Sequence, residues 1–111
     1  MVCFVGHNGL MDTRIAETKK PEASHPDCAV VLACRSNPYF SPRLGKLKCI
    51  PLITTAGLMA PEAYTLDAII RSWASGDRPN VTRDKAAAAY AKYQKCSLKA
   101  AGRLLVSAAD E

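Results

Sequence analysis

Three short apolar runs punctuate the first half of the chain: residues 2–6 (Val-Cys-Phe-Val-Gly), 29–33 (Ala-Val-Val-Leu-Ala) and 50–54 (Ile-Pro-Leu-Ile-Thr). Each is continuous, with turn residues at its ends, which is the pattern of strands buried on both faces of a parallel sheet. Pro51 sits near the start of the third run, where a strand tolerates it. Residues 10–27 predict a helical turn around Met11 to Thr18, then a loop through Pro21 and Pro26. Residues 41–47 predict a short helix opened by Ser41-Pro42, a cap followed by a first-turn proline.

The period then changes. Behind Pro61, the residues Ala63, Leu66, Ile69, Ile70 and Trp73 form an apolar stripe at helical spacing, which Gly76 ends. Trp73 on that stripe is expected in the core. An alanine-rich helix is predicted over 81–95 behind Pro79, and a last one over 97–107 with Ser97 as its cap. Residues 108–111 are expected to fray. Strands alternating with crossovers, followed by helices, define an α/β domain over residues 1–107: a three-layer sandwich around an incomplete, three-stranded parallel sheet.

Composition narrows the class. Of the 111 residues, 49% are apolar and 23% charged, as in soluble globular proteins. No apolar run reaches the roughly 20 residues a membrane span needs. The first residues lack a basic region and a cleavage site, so a cytoplasmic location is expected. The five cysteines are odd in number and irregularly spaced, without a CxxC, so reduced thiols are expected. His25-Pro-Asp-Cys28 is the nearest approach to a metal motif and falls short of a four-ligand zinc site, so neither metal nor cofactor is expected. The net charge of +5 is spread from Lys19 to Arg103 with few interleaved aromatics, which argues for solvated faces over nucleic-acid binding. The segment from Tyr90 to Leu105 is loosely similar to a helix-turn-helix, a pairing common in any helix-rich tail.

His7 directly follows the first predicted strand and Cys34 directly follows the second, 27 positions later. That interval suits one crossover between parallel neighbours, which lie roughly 4.8 Å apart. Both residues then fall on the carboxyl rim of the sheet, where open α/β sheets gather their ligand sites. A thiolate is a strong nucleophile, and an adjacent imidazole takes the thiol proton. The backbone N–H groups of Gly9 and Cys34 are candidate oxyanion donors. Arg35 and Ser36 follow the second strand and Thr54 and Thr55 end the third, on the same rim. They are expected to line a substrate cleft, with a structural role in the turn, or as caps of the next loop, as the alternative. Cysteines are also common as inert core residues, so the pattern alone leaves a packing role open.

The segments Val2-Cys-Phe-Val-Gly-His7-Asn-Gly9 and Ala29-Val-Val-Leu-Ala-Cys34-Arg-Ser36 resemble the two signature strand ends of caspase-like (clan CD) cysteine peptidases. This group includes caspases, metacaspases, legumains, gingipains, separases and CHAT-domain proteins. Residues 51–73, from Pro51 through Thr54-Thr55 to Trp73, resemble the strand, loop and helix that follow the cysteine in CHAT-like members. The resemblance implies His7 as general base and Cys34 as nucleophile of a cysteine-type endopeptidase or amidase acting on a peptide or protein. It also implies an N-terminally truncated domain, because the family's sheet has further strands before the histidine strand. The strand at 2–6 is then an exposed edge, suited to homo-oligomer formation. The alternatives are a non-catalytic caspase-like module that binds a protein partner, and a basic nucleic-acid-binding protein.

Overall fold

β2 (Cys28–Leu32) lies inside a four-stranded sheet in which spatial order follows chain order: β1 (Val2–Val5), β2, β3 (Ile50–Thr55), β4 (Leu105–Ser107). This computed structural model describes residues 1–16 and 27–108. The first three strands are parallel, and β4 pairs antiparallel to β3. The three apolar runs form the three predicted parallel strands to within a residue or two, as an α/β pattern requires. β2 is buried along Ala29–Leu32 because it has a strand on each side and helices on both faces. The register between β2 and β3 shifts after the pair Ala29↔Pro51. Proline has no N–H to continue the ladder, so the irregularity falls where the sequence put it.

The fourth strand was not expected. The last helix, α4 (Leu98–Leu104), ends three residues earlier than predicted, and the chain extends to pair Thr54 with Val106. Ala56 N–H, just past β3, donates to Leu104 O at 2.8 Å and fixes the crossing point. The open edge of β3 supplies hydrogen bonds that a fraying helix end at Leu105-Val106 cannot make.

α1 (Ser36–Lys46) packs on β2 and β3, while α3 (Pro79–Gln94) packs on β3 and β4 with α2 (Ala63–Ala74) and α4 beside it. α1 is longer than the helix expected at 41–47. Pro38 falls in its first turn, where a missing N–H costs little, and Pro42 stands inside it. On the other face Val30, Leu32, Ile53, Ile69, Ala86 and Leu105 share one core with Met59 and Tyr90. The alanines of α3 let its axis approach closely, and its first turn opens on Pro79 as N1 proline. Gly76 has φ +80°, the left-handed geometry that favours glycine just past a helix end. Ser97 caps α4 by accepting from Ala100 N–H at 3.0 Å. Among the described residues, no helix is long and apolar enough to cross a membrane.

Two sequence expectations need correction. Trp73 is 45% exposed and Ile70 41%, so only Ile69 and, in part, Leu66 of the apolar stripe of α2 reach the core. The buried positions are Thr65, Ile69 and Ser72, because α3 covers that side. Ser72 Oγ bonds to Thr82 Oγ1 at 2.9 Å and donates to Asp77 Oδ2 at 2.6 Å. A hydrogen-bonded polar seam therefore joins α2 to α3. The Lys85 ammonium, with Ser72, holds the Asp77 carboxyl below the usual carboxylate range. The predicted turn around Met11 to Thr18 is instead a 3-10 turn at Gly9–Met11, with residues 13–16 irregular. Glu17, Thr18, Pro21, His25 and Pro26 lie outside the described residues, as do 109–111 of the expected frayed tail.

Candidate active site

The register Val5↔Leu32 makes the chain leave β1 and β2 side by side at the carboxyl edge. Gly6 N–H extends that pairing by donating to Leu32 O at 3.1 Å. His7 and Cys34 therefore stand on adjacent strand ends. Asn8, fully buried, links the two turns: its Nδ2 donates to Cys34 O at 2.8 Å, and its Oδ1 accepts from Leu10 N–H at 3.0 Å.

Cys34 occupies a tight turn from β2 into α1. Arg35 has φ +50°, a left-handed conformation that costs a non-glycine residue on the order of 1 kcal/mol. Buried hydrogen bonds hold the turn there. Arg35 N–H donates to Gly57 O at 2.8 Å. Ser36 Oγ donates to Val31 O at 2.7 Å and accepts from Thr55 N–H at 2.9 Å. Thr55 Oγ1 accepts from Ser36 N–H at 3.1 Å and donates to Ala33 O. Thr54 Oγ1 donates to Asn37 Oδ1 at 3.0 Å. The expectation that Ser36, Thr54 and Thr55 line a cleft is corrected: all three are fully buried. They brace the turn that carries Cys34. Arg35 alone of the four is exposed on the rim.

The thiol itself is partly buried. Met59 N–H donates to Cys34 Sγ at 3.4 Å, and the thiol donates to Met59 O at 3.6 Å. The backbone of one residue thus gives the sulfur both a donor and an acceptor. Burial, the largest cause, pushes the Cys3 and Cys49 thiols up, away from the thiolate. All five cysteines are free.

His7 is mostly exposed, and its Nε2 lies 2.5 Å from Asp12 Oδ2. The carboxylate orients the ring, which leaves Nδ1 for proton exchange. Imidazole and thiol are not bonded to each other: one is held by Asp12, the other by Met59. Gly9 opens the 3-10 turn, so its N–H has no partner within it. Neither that N–H nor the Cys34 N–H donates to another described residue. Among the described residues, no group of three His, Cys, Asp or Glu side chains is placed to hold a metal ion.

Asn8, Asp12 and Met59 escaped the sequence reading as site residues. Asn8-Gly9 after a strand is a turn signal, and an Asx-turn side chain was the legible clue. Asp12 has no diagnostic spacing from His7, and Met59 acts through its backbone, which leaves no side-chain signature. The segment from Tyr90 to Leu105 completes α3, forms α4 and enters β4, with Ala101 and Leu105 in the core, so it is built into the α/β unit. Comparison of the chain with family models, with curated proteins and with solved structures gives no match.

Proposed function

We propose that this chain is a caspase-like cysteine peptidase or amidase domain, with Cys34 as nucleophile and His7 as proton carrier. One observation carries the reading: the two residues follow neighbouring parallel strands, and Cys34 sits in a braced turn next to left-handed Arg35. Sγ of Cys34 attacks the carbonyl carbon of a peptide substrate as its proton passes to His7. The oxyanion is received by the N–H groups of Cys34 and Gly9. The carbon–nitrogen bond breaks as His7 returns the proton to the leaving amine, and water then hydrolyses the thioester. Cysteine–histidine hydrogen bonds are often loose without substrate and tighten in the complex, which fits the separate partners of His7 and Cys34 here. Five free thiols fit a reducing compartment such as the cytoplasm.

A second reading has its own observation. β1 is an edge strand, and its Val2 and Phe4 are 47% and 46% exposed. Such an edge suits pairing with another strand, either from a second copy or from a protein partner of a non-catalytic module. A peptidyl acyloxymethyl ketone separates the two readings. The enzyme concentrates labelling on Cys34, loses it in Cys34→Ser, and slows by roughly a hundredfold in His7→Ala, the usual worth of a general base. Labelling of Cys34 no faster than that of exposed Cys96 would leave the binding module as the better account.

A further inference from the structure

Behind the loop that follows β3 lies an open cavity of about 430 Å³, a size that accommodates small molecules. Its apolar wall includes Leu58, Tyr90, Ala100, Ala101 and Leu104. Among the described residues, Arg103 is the only charged one lining it, and no carboxylate among them pairs with that guanidinium. An apolar wall with one guanidinium that meets no described carboxylate suits an apolar molecule carrying one negative charge.

The loop forming one wall is the loop that holds the thiol. Residues 56–58 line the cavity, and Met59, next in the chain, brackets Cys34 Sγ with its N–H and carbonyl. Gly57 lines the cavity and accepts from Arg35 N–H. The loop is tied at both ends to other lining residues: Ala56 N–H donates to Leu104 O at 2.8 Å, and Ala60 N–H donates to Tyr90 Oη at 3.0 Å. Any occupant that shifts Leu58, Leu104 or Tyr90 therefore bears on the Met59 and Arg35 amides.

We infer that the cavity binds a small aliphatic monocarboxylate through Arg103, and that its occupant sets the position of the Met59 N–H at Cys34. The effect on reactivity rests on Cys34 being the nucleophile proposed above; binding and loop movement do not. An occupant that repositions the loop moves the Met59 N–H and carbonyl that contact Cys34 Sγ. Alkylation of Cys34 by iodoacetamide near neutral pH is then expected to change roughly threefold when the cavity is occupied.

The test titrates octanoate into the full chain and follows backbone amide shifts, with octan-1-ol and octylamine as controls. Expected are shifts at 56–58 and 100–104 that propagate to Met59 and Arg35. Affinity is expected to fall roughly tenfold in Arg103→Gln, the worth of one charge-assisted contact, with octan-1-ol unaffected by that change. Because Arg103 is exposed, the variant should fold, and its spectrum without ligand reports that directly. Absence of shifts at millimolar octanoate overturns the site. Equal affinity for octanoate in Arg103→Gln, or tighter binding of octylamine, overturns the carboxylate assignment. Shifts confined to 56–58 and 100–104 overturn the link to the thiol. Iodoacetamide rates measured without octanoate report on the nucleophile reading separately.

Discussion

The two strand ends that carry His7 and Cys34 are built in opposite ways. The turn after β2 is buried and over-determined: Ser36, Thr54 and Thr55 are fully inside and hydrogen-bonded, and distant Gly57 and Met59 complete the grip. The turn after β1 is local and, apart from buried Asn8, lies mostly toward solvent, where His7 meets Asp12 five residues away. Asn8 joins one to the other. The difference suits the roles proposed for the two residues: a nucleophile held in one geometry by buried hydrogen bonds against the strain of Arg35, and a proton carrier left free to move on an exposed imidazole.

Breaking the buried side of this comparison should have the largest effect on stability. Thr55→Val keeps the shape but strips the partner from Ser36 N–H and from Ala33 O, two groups without access to water. Loss of about 2 kcal/mol is expected, seen as a lower urea midpoint at unchanged slope. A loss near zero would mean that the turn after β2 does not depend on this network.

The link between the turns comes next. Asn8→Ala removes both the bond to Cys34 O and the cap on Leu10 N–H, for a loss of about 1–2 kcal/mol. Asn8→Asp keeps the acceptor and removes the donor, so it isolates the bridge. If the bridge positions Cys34, both variants slow its alkylation; slowing in Asn8→Ala alone would assign the role to the turn after β1.

The exposed side should respond least in stability. Asp12→Asn is expected to change it by less than about 1 kcal/mol, because the pair with His7 is open to solvent. Its signature is in the imidazole: nitrogen shifts of His7 should show a changed tautomer balance, and Cys34 labelling by the peptidyl ketone should slow. An unchanged tautomer balance would remove Asp12 from the site.

Much of this was legible along the chain. The apolar runs at 2–6, 29–33 and 50–54 specify strands. The second and third are largely buried, while the first is an edge whose Val2 and Phe4 face solvent, against the expectation of burial on both faces. Their carboxyl ends put His7 and Cys34 on one rim before any contact is known. Pro79, Ser97 and Gly76 mark helix ends because each meets a local backbone requirement. Such features depend on a few neighbouring residues, so sequence alone determines them.

The tertiary structure decided the rest. α2 buries Thr65 and Ser72 beside Ile69 of its apolar stripe and leaves Ile70 and Trp73 exposed, because α3 covers that side and Thr82 gives Ser72 a hydrogen-bond partner. Ser36, Thr54 and Thr55 are hydroxyl-bearing residues near strand ends, equally suited by chemistry to a cleft or a brace. Burial against Val31 and Ala33 made them braces. Residues 105–107 became a strand because β3, far earlier in the chain, had a free edge within reach. The atoms that hold the thiol belong to the backbone of Met59, whose position only the folded loop defines. Long-range hydrogen bonds and burial join residues that sequence spacing does not relate, and at this site they choose the role of each side chain.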